Sequence, residues 1–356
     1  MNTTLFTPTS LGKLHLKNRI VMAPLTRSRA IGNVPNELME TYYKQRAEAG
    51  LIITEGTSPS PNGLGYARIP GLFNDAQVQG WKRVTGGVHA SGGRVFVQLM
   101  HTGRVGHAAN LPAGARVIAP SAIAAPGEMW TDSSGMQAHP VPDAMSEGDI
   151  HQTIAEYANA AKRAIAAGFD GVELHAANGY LIDQFLNTAS NQRTDRWGGS
   201  PDNRIRFAVE VAKACVAAIG ADRIGMRISP YGVFNGMVPD AKMDALYLRL
   251  IEELNALELA YIHIVDHSSM GAPEVSPELK AKLRANFNGK YILSGGYDAA
   301  RANADLDAQR GDLVAFGRPF ISNPDLVRKL QNGDALTAPD AGTFYTPDEK
   351  GYTDYP

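Results

Sequence analysis

The stretch Glu173-Leu174-His175-Ala176-Ala177-Asn178-Gly179-Tyr180 carries the densest chemistry in the chain. His175 and Asn178 are three residues apart, the spacing of one helical turn, so both side chains can reach one point. Two donors converging on one oxygen suit a carbonyl that becomes an enolate. Tyr180 adds a phenolic proton beside them. A hydrogen-bonded polar loop is the other reading of the same residues.

Two glycine-bearing stretches lie further on, Ser294-Gly295-Gly296-Tyr297-Asp298 and Phe316-Gly317-Arg318-Pro319. Each follows an apolar run and enters a helical pattern. Glycines let backbone amides approach an anion, and Arg318 adds positive charge, so these stretches fit a phosphate. Plain helix caps and turns are the alternative.

Other chemistries find little support. A Schiff-base lysine would have to end a strand, whereas Lys290 begins one. There is no H-E-x-x-H, and His101 and His107, which flank Arg104, have no carboxylates at ligand spacing, so no metal is expected and they read as surface or lid residues. The single cysteine, Cys215, excludes an internal disulfide or a cysteine-ligated iron–sulfur cluster, and its apolar helix stripe marks it as a buried structural thiol. A net charge of −2 suggests neither nucleic acid nor an anionic membrane as partner. No run approaches the ~18 apolar residues of a membrane-spanning helix, and Met1–Lys13 lacks the apolar core of a secretory signal. The reading is a cytoplasmic protein.

What positions these residues is an alternation of short β-branched runs with longer helical patterns. The strand-like runs are Ile20–Ala23, Leu51–Glu55, Val95–Leu99, Gly171–Leu174, Ile224–Ile228, Tyr261–Val265, Tyr291–Ser294 and Leu313–Phe316. Helical segments follow at 36–47, 75–90, 146–167, 202–219, 244–257, 277–286, 299–308 and 324–331, with Ser146, Ser276 and Asn323 as cap signals. Eight βα units in a row predict an α/β chain closed into a (β/α)₈ TIM barrel. No G-x-G-x-x-G supports an open dinucleotide-binding sheet instead.

In such a barrel the active site lies at the C-terminal ends of the strands. The polar residues there are Thr26, Glu55, Gln98, His101, Glu173, His175, Arg227, His263, Asp266, Ser294 and Arg318. A barrel needs about 250 residues, and the chain has 356. The surplus sits in an N-terminal hairpin at 5–16, predicted to close the barrel floor, and in a proline-rich insertion, 101–145, after the third strand, read as a lid. The expectation is one barrel domain over residues 1–356.

These residues match a family. The chain resembles the old yellow enzyme family of FMN-dependent ene-reductases, near its bacterial N-ethylmaleimide reductase and pentaerythritol tetranitrate reductase branch. The likeness runs from Leu5 to Pro356. It rests on Asn18-Arg19-Ile20-Val21-Met22-Ala23-Pro24-Leu25-Thr26-Arg27, on His175–Tyr180, on Arg193, Asp195, Arg196 and Gly198 within 191–199, on Gly317-Arg318-Pro319-Phe320 and on the closing Tyr352-Thr353-Asp354-Tyr355-Pro356. The resemblance implies non-covalent FMN, with NADPH or NADH as hydride donor. Pro24, Thr26, Gly56, Gln98, His175 and Arg227 would contact the flavin, and Gly295, Gly296, Gly317 and Arg318 would hold its phosphate. His175 and Asn178 would bind the carbonyl or nitro oxygen of an activated alkene, a maleimide or a nitro compound. Tyr180 would give the proton, and Tyr66, Phe344 and Tyr345 would line the substrate side.

Two positions depart from the branch. Met100 stands where many relatives carry tryptophan, and Asp266-His267-Ser268-Ser269-Met270-Gly271 lacks the tryptophan that some place there. Met100, two residues beyond Gln98, is expected to face the substrate, or else to fill a gap beneath the insertion. A dienoyl-CoA-type reductase of the same barrel would need the cysteines that are missing. A flavin- or ligand-binding barrel without turnover is the alternative from another class. A monomer or weak homo-oligomer is expected.

Overall fold

The computed structural model describes residues 3–356. The chain opens with an antiparallel hairpin, β1 (Thr9–Leu11) and β2 (Leu14–Leu16). Leu11 and Leu16 are fully buried against Val21, Leu51, Phe96 and Leu313, which lie at the N-terminal ends of the barrel strands. The hairpin therefore plugs the barrel floor, as its position in the sequence predicts.

The first barrel strand, β3 (Ile20–Met22), leads through α1 (Glu37–Gln45) to β4 (Leu51–Thr57), and α2 (Asp75–Ala90) leads to β5 (Val95–Leu99). The insertion that follows holds four short strands, β6 (Ile118–Ala119), β7 (Glu128–Thr131), β8 (Gly135–Ala138) and β9 (Asp143–Ala144). β7 and β8 form an antiparallel hairpin, while β6 and β9 pair in parallel. Then come α3 (Glu147–Ala166), β10 (Gly171–Ala176), α4 (Leu181–Leu186), α5 (Pro201–Ile219), β11 (Ile224–Ile228), α6 (Met243–Ala256), β12 (Tyr261–Val265), α7 (Pro277–Ala285), β13 (Lys290–Ser294), α8 (Ala299–Asp307), β14 (Leu313–Phe316), α9 (Arg318–Ser322) and α10 (Leu326–Asn332). Strands β3, β4, β5, β10, β11, β12, β13 and β14 close into one parallel barrel.

Local chemistry explains the element boundaries. Asn74 with Gln77, and Ser146 with Asp149, form capping boxes at α2 and α3. Pro201 and Pro277 occupy the first turn of α5 and α7, behind Ser200 and Ser276, where a missing N–H is harmless. Every residue of β4, β5, β10, β11, β12 and β14 is buried, the pattern of a parallel sheet covered on both faces. Cys215 is buried in α5, and burial pushes its thiol up to about 12, which fits an inert structural residue.

One cap expectation is corrected. The last helix begins at Leu326, not Pro324, and Asn323 does not cap it. Asn323 is fully buried. Its Nδ2 donates to the carbonyls of Pro319 and Thr337 at 2.9 and 3.0 Å, and its Oδ1 accepts from Thr337 N–H at 2.9 Å and Lys329 Nζ at 2.8 Å. Stitching two segments together satisfies all of its polar atoms, which a cap would not.

Candidate active site

A cavity of about 1260 Å³ opens at the C-terminal ends of the barrel strands. It exceeds the ~300–1,000 Å³ of a single small-molecule site, so it has room for a flavin-sized group and a second molecule. Among the polar strand-end residues, Thr26, Gln98, His175, Arg227, Asp266, Ser294 and Arg318 line it. Glu55, His101, Glu173 and His263 do not, because they are buried one layer beneath. His101 is thus no surface residue: its Nδ1 accepts from Gly103 N–H at 3.1 Å, and burial pulls its pKa down to about 3. His107, at the surface of the insertion, accepts from Ala109 N–H at 3.2 Å.

His175, Asn178 and Tyr180 all line the cavity, but not through a helical turn. His175 lies in β10, whereas Asn178 sits in a turn at φ 60°, a left-handed conformation that asparagine tolerates better than most residues. Strand end and reversed turn together bring the two side chains to one wall. Burial, with Arg227 nearby, holds the His175 pKa well below its usual value. The ring is therefore neutral and carries one N–H, and its Nδ1 has no partner. The Tyr180 hydroxyl lies 3.1 Å from that of Tyr66. Burial raises the pKa of both, keeping Tyr180 a protonated acid at neutral pH.

The strand that carries His175 and the strands beside it, β5, β11 and β12, also carry a buried polar network. Glu173 accepts from Gln98 Nε2 at 2.9 Å and from Tyr261 Oη at 3.1 Å, and bonds His263 Nδ1 at 2.9 Å. With Nε2 donating to Glu173, Gln98 lines the cavity, and its Oε1 accepts from no donor among the described residues. On β11, next to His175, Arg227 is only 7% exposed, its Nε is buried without a partner, and among the described residues it forms no ion pair. A buried, unpaired cation is costly unless a ligand completes it. The backbone N–H groups of Gly295, Gly296, Gly317 and Arg318 line the same cavity and have no backbone carbonyl acceptor. Gly295 has φ 123°, and a Cβ there would stand 2.1 Å from the Asp266 carbonyl oxygen, so only glycine fits. A ring with donor and acceptor edges and a phosphate, as FMN has, suits these groups.

Pro24 also lines the cavity, and Gly56 does not. A Cβ on Gly56 would stand 2.5 Å from both Sδ and Cε of Met100. Gly56 thus makes room for Met100, which lies between it and the cavity, instead of presenting its own backbone there. Met100 is 1% exposed, packs with Leu64 and Ile69, and still lines the cavity. Tyr66, Phe344 and Tyr345 line the cavity too. The tail that carries the last two is anchored by the N-terminal motif. Arg27 donates to the carbonyls of Phe344 and Gly351, and Arg29 to those of Thr343, Phe344, Asp348 and Lys350. Tyr352 of the closing motif stacks on Tyr42 with ring centroids 4.1 Å apart.

Three residues that sequence reasoning passed over complete the site. His267 Nε2 lies 2.7 Å from Asn178 Oδ1, Asn235 Nδ2 donates to the Asn178 carbonyl at 2.7 Å, and Ser229 Oγ accepts from Asn178 N–H at 2.9 Å. All three stand at least 50 residues from Asn178 in sequence. Asn235-Gly236 is legible only as a turn dipeptide, and His267 only as part of the stretch 266–271 that lacks a tryptophan.

A family model described as NADH:flavin oxidoreductase / NADH oxidase matches residues 4–337. The chain is 46% identical to a chanoclavine-I aldehyde reductase of Penicillium roqueforti, over 99% of this chain and 96% of that one. It is 42% identical to a probable flavin mononucleotide-dependent alkene reductase of Leishmania infantum, over 98% and 96%. A solved structure of morphinone reductase in complex with tetrahydroNAD superimposes with a TM-score of 0.94 at 45% identity, covering 100% of this chain and 98% of that one. The chain belongs to the NADH:flavin oxidoreductase / NADH oxidase family, the old yellow enzyme family, and is an FMN-dependent oxidoreductase.

Proposed function

We propose that the chain is an ene-reductase that takes hydride from NADPH or NADH and reduces the activated C=C bond of α,β-unsaturated carbonyls, maleimides and nitro compounds, with His175, Asn178 and Tyr180 as its catalytic residues. The observation that carries this reading is one cavity in which the buried, unpaired Arg227 stands beside His175 on the neighbouring strand, with the Asn178 and Tyr180 side chains close by. Bound FMN supplies the hydride carrier between nicotinamide and alkene. Pro24, Thr26, Gln98 and Arg227 would hold the ring, with Gln98 able to accept and Arg227 able to donate and supply positive charge. Gly295, Gly296, Gly317 and Arg318 hold the phosphate. His175 and Asn178 donate to the substrate oxygen and stabilise the charge that develops there. Tyr180 holds a proton at its phenolic oxygen for the alkene carbon next to the activating group.

Tyr66, Met100, Phe344 and Tyr345 shape the substrate side, and residues 101–145 serve as a lid on the single FMN-binding barrel. Support for the lid comes from Val105, Met129, Trp130 and Met136, which line the cavity. A complete set of site residues within one chain supports a monomer or weak homo-oligomer. No helix among the described residues is long and apolar enough to cross a membrane, in keeping with a cytoplasmic enzyme.

The test is direct. Purified protein incubated with FMN should turn yellow, bleach anaerobically on NADPH or NADH, and regain colour on adding cyclohexenone. Protein that stays colourless overturns the cofactor assignment. Protein that bleaches but is not reoxidised by any enone, maleimide or nitroalkene is a flavin-binding barrel without turnover.

A further inference from the structure

Asn178 can act as a donor only if its carboxamide points the right way round. An amide flip exchanges donor for acceptor at nearly constant shape, and an oxygen facing the cavity would repel the substrate oxygen. The backbone of Asn178 is pinned by Ser229 and Asn235, at 2.9 and 2.7 Å, in its left-handed turn. These bonds fix the main chain but not the terminal amide. The contact that reaches the amide is His267 Nε2, 2.7 Å from Oδ1. Among the described residues Asn178 Nδ2 has no acceptor, and Asn178 lines the cavity.

We infer that His267 is a positioning residue whose Nε2–H holds the Asn178 carboxamide with its oxygen turned away and its Nδ2 free to donate to the substrate oxygen. The inference rests on the reading of Asn178 as a substrate-oxygen donor. The His267 ring is itself held edge-to-face by Phe234, with centroids 4.7 Å apart, and Phe234 immediately precedes Asn235. Burial draws its pKa down to about 4, so at neutral pH the imidazole has one N–H to place. The Nε2–H tautomer sets Asn178 as a donor. The other tautomer would leave Nε2 an acceptor, draw the NH₂ group back and turn the oxygen inward. His267 does not touch the substrate in this scheme. It acts through Asn178, and the loop where some relatives place a tryptophan thereby takes on an orienting role.

The test titrates FMN-loaded enzyme with 4-methylphenol, read by flavin absorbance, in five proteins: wild type, His267→Phe, His267→Gln, Asn178→Ala and the Asn178→Ala/His267→Phe double variant. Phenylalanine keeps the ring against Phe234 and removes the donor; glutamine puts an amide N–H close to where Nε2 stands. His267→Phe should weaken phenol binding roughly 3- to 10-fold, the value of one neutral hydrogen bond. His267→Gln should recover most of that loss, and His267→Phe should add nothing in the Asn178→Ala background. Equal losses in both backgrounds would show a packing role and overturn the inference, as would wild-type binding by His267→Phe. If Asn178→Ala alone binds the phenol as wild type does, the reading of Asn178 fails, and the inference fails with it.

Discussion

The hydroxyl oxygens of Tyr66 and Tyr180 lie 3.1 Å apart, and their rings meet edge to face with centroids 6.1 Å apart. This bond leaves one phenolic proton of the pair free for the cavity. If Tyr180 is the acid, Tyr180→Phe should slow enone reduction by about 10²–10⁴ while reduction of the flavin by NAD(P)H stays near wild type. Tyr66→Phe should have a smaller effect, because Tyr180 keeps its own proton. Rapid-mixing traces of the two half-reactions check this; equal slowing of both by Tyr180→Phe would remove Tyr180 from the proton step.

Arg227 makes a prediction of opposite sign for the two forms of the protein. Without FMN its guanidinium is buried with no hydrogen-bonded partner and only the Glu173 carboxylate nearby to offset its charge, so Arg227→Leu should stabilise the apoprotein by about 1 kcal/mol. The same change removes a charged donor to the ring and should weaken FMN binding roughly 10- to 100-fold. Urea unfolding of both apoproteins and an FMN titration read the two effects. Loss of apoprotein stability would show that Arg227 already has its partner in the protein.

Much of this arrangement was legible in the sequence because it is local. Strand ends follow from β-branched runs and helix starts from serine and proline, so the barrel and the places of His175, Asn178, Tyr180 and Arg227 could be read. The convergence of His175 and Asn178 was expected for the wrong reason, since a three-residue spacing does not say whether a strand or a helix lies beneath it. Helices α4 and α9 span only six and five residues and are too short for periodicity to declare them. What stayed hidden is pairing through space. Nothing near Asn178 announces His267 from the loop after β12, and nothing near Gly56 announces the Met100 side chain lying on it. Likewise Glu55 and Glu173 end up beneath the cavity because strand periodicity does not say which strand-end carboxylates neighbouring side chains will cover.

His101 couples stability to pH. Its folded pKa is about 3, against an unfolded value near 6.5. Between these values the unfolded chain binds the extra proton, so the contribution of His101 is complete above pH 6.5 and is lost as the pH falls. The loss amounts to about 1.4 kcal/mol per pH unit for one proton. His101→Asn keeps an acceptor for Gly103 N–H without the titrating ring. Urea unfolding at pH 7 and pH 5 should show a smaller drop in stability for the variant than for wild type. Equal drops would mean that His101 does not titrate with unfolding.

Met100 is where packing and substrate range meet. Its N–H donates to the Thr57 carbonyl at 2.9 Å, so extended pairing continues one residue past β5, and Gln98 and Met100 both reach the cavity. It fills the space over Gly56 and forms part of the substrate wall at once. Beneath it there is no slack, since Sδ and Cε already lie where a Cβ on Gly56 would be. The larger indole of Met100→Trp therefore has to grow into the cavity, towards Tyr66 and Tyr180. Turnover of cyclohexenone should fall little, and turnover of 3-alkyl-cyclohexenones should fall more with each added carbon. Overpacking against Leu64 and Ile69 should also cost about 1–3 kcal/mol of stability, so unfolding is measured on the same samples. A common factor for small and large enones would show that Met100 stabilises the wall without setting its size. A penalty that grows with substituent length would identify Met100 as the residue that admits bulk at the β-carbon.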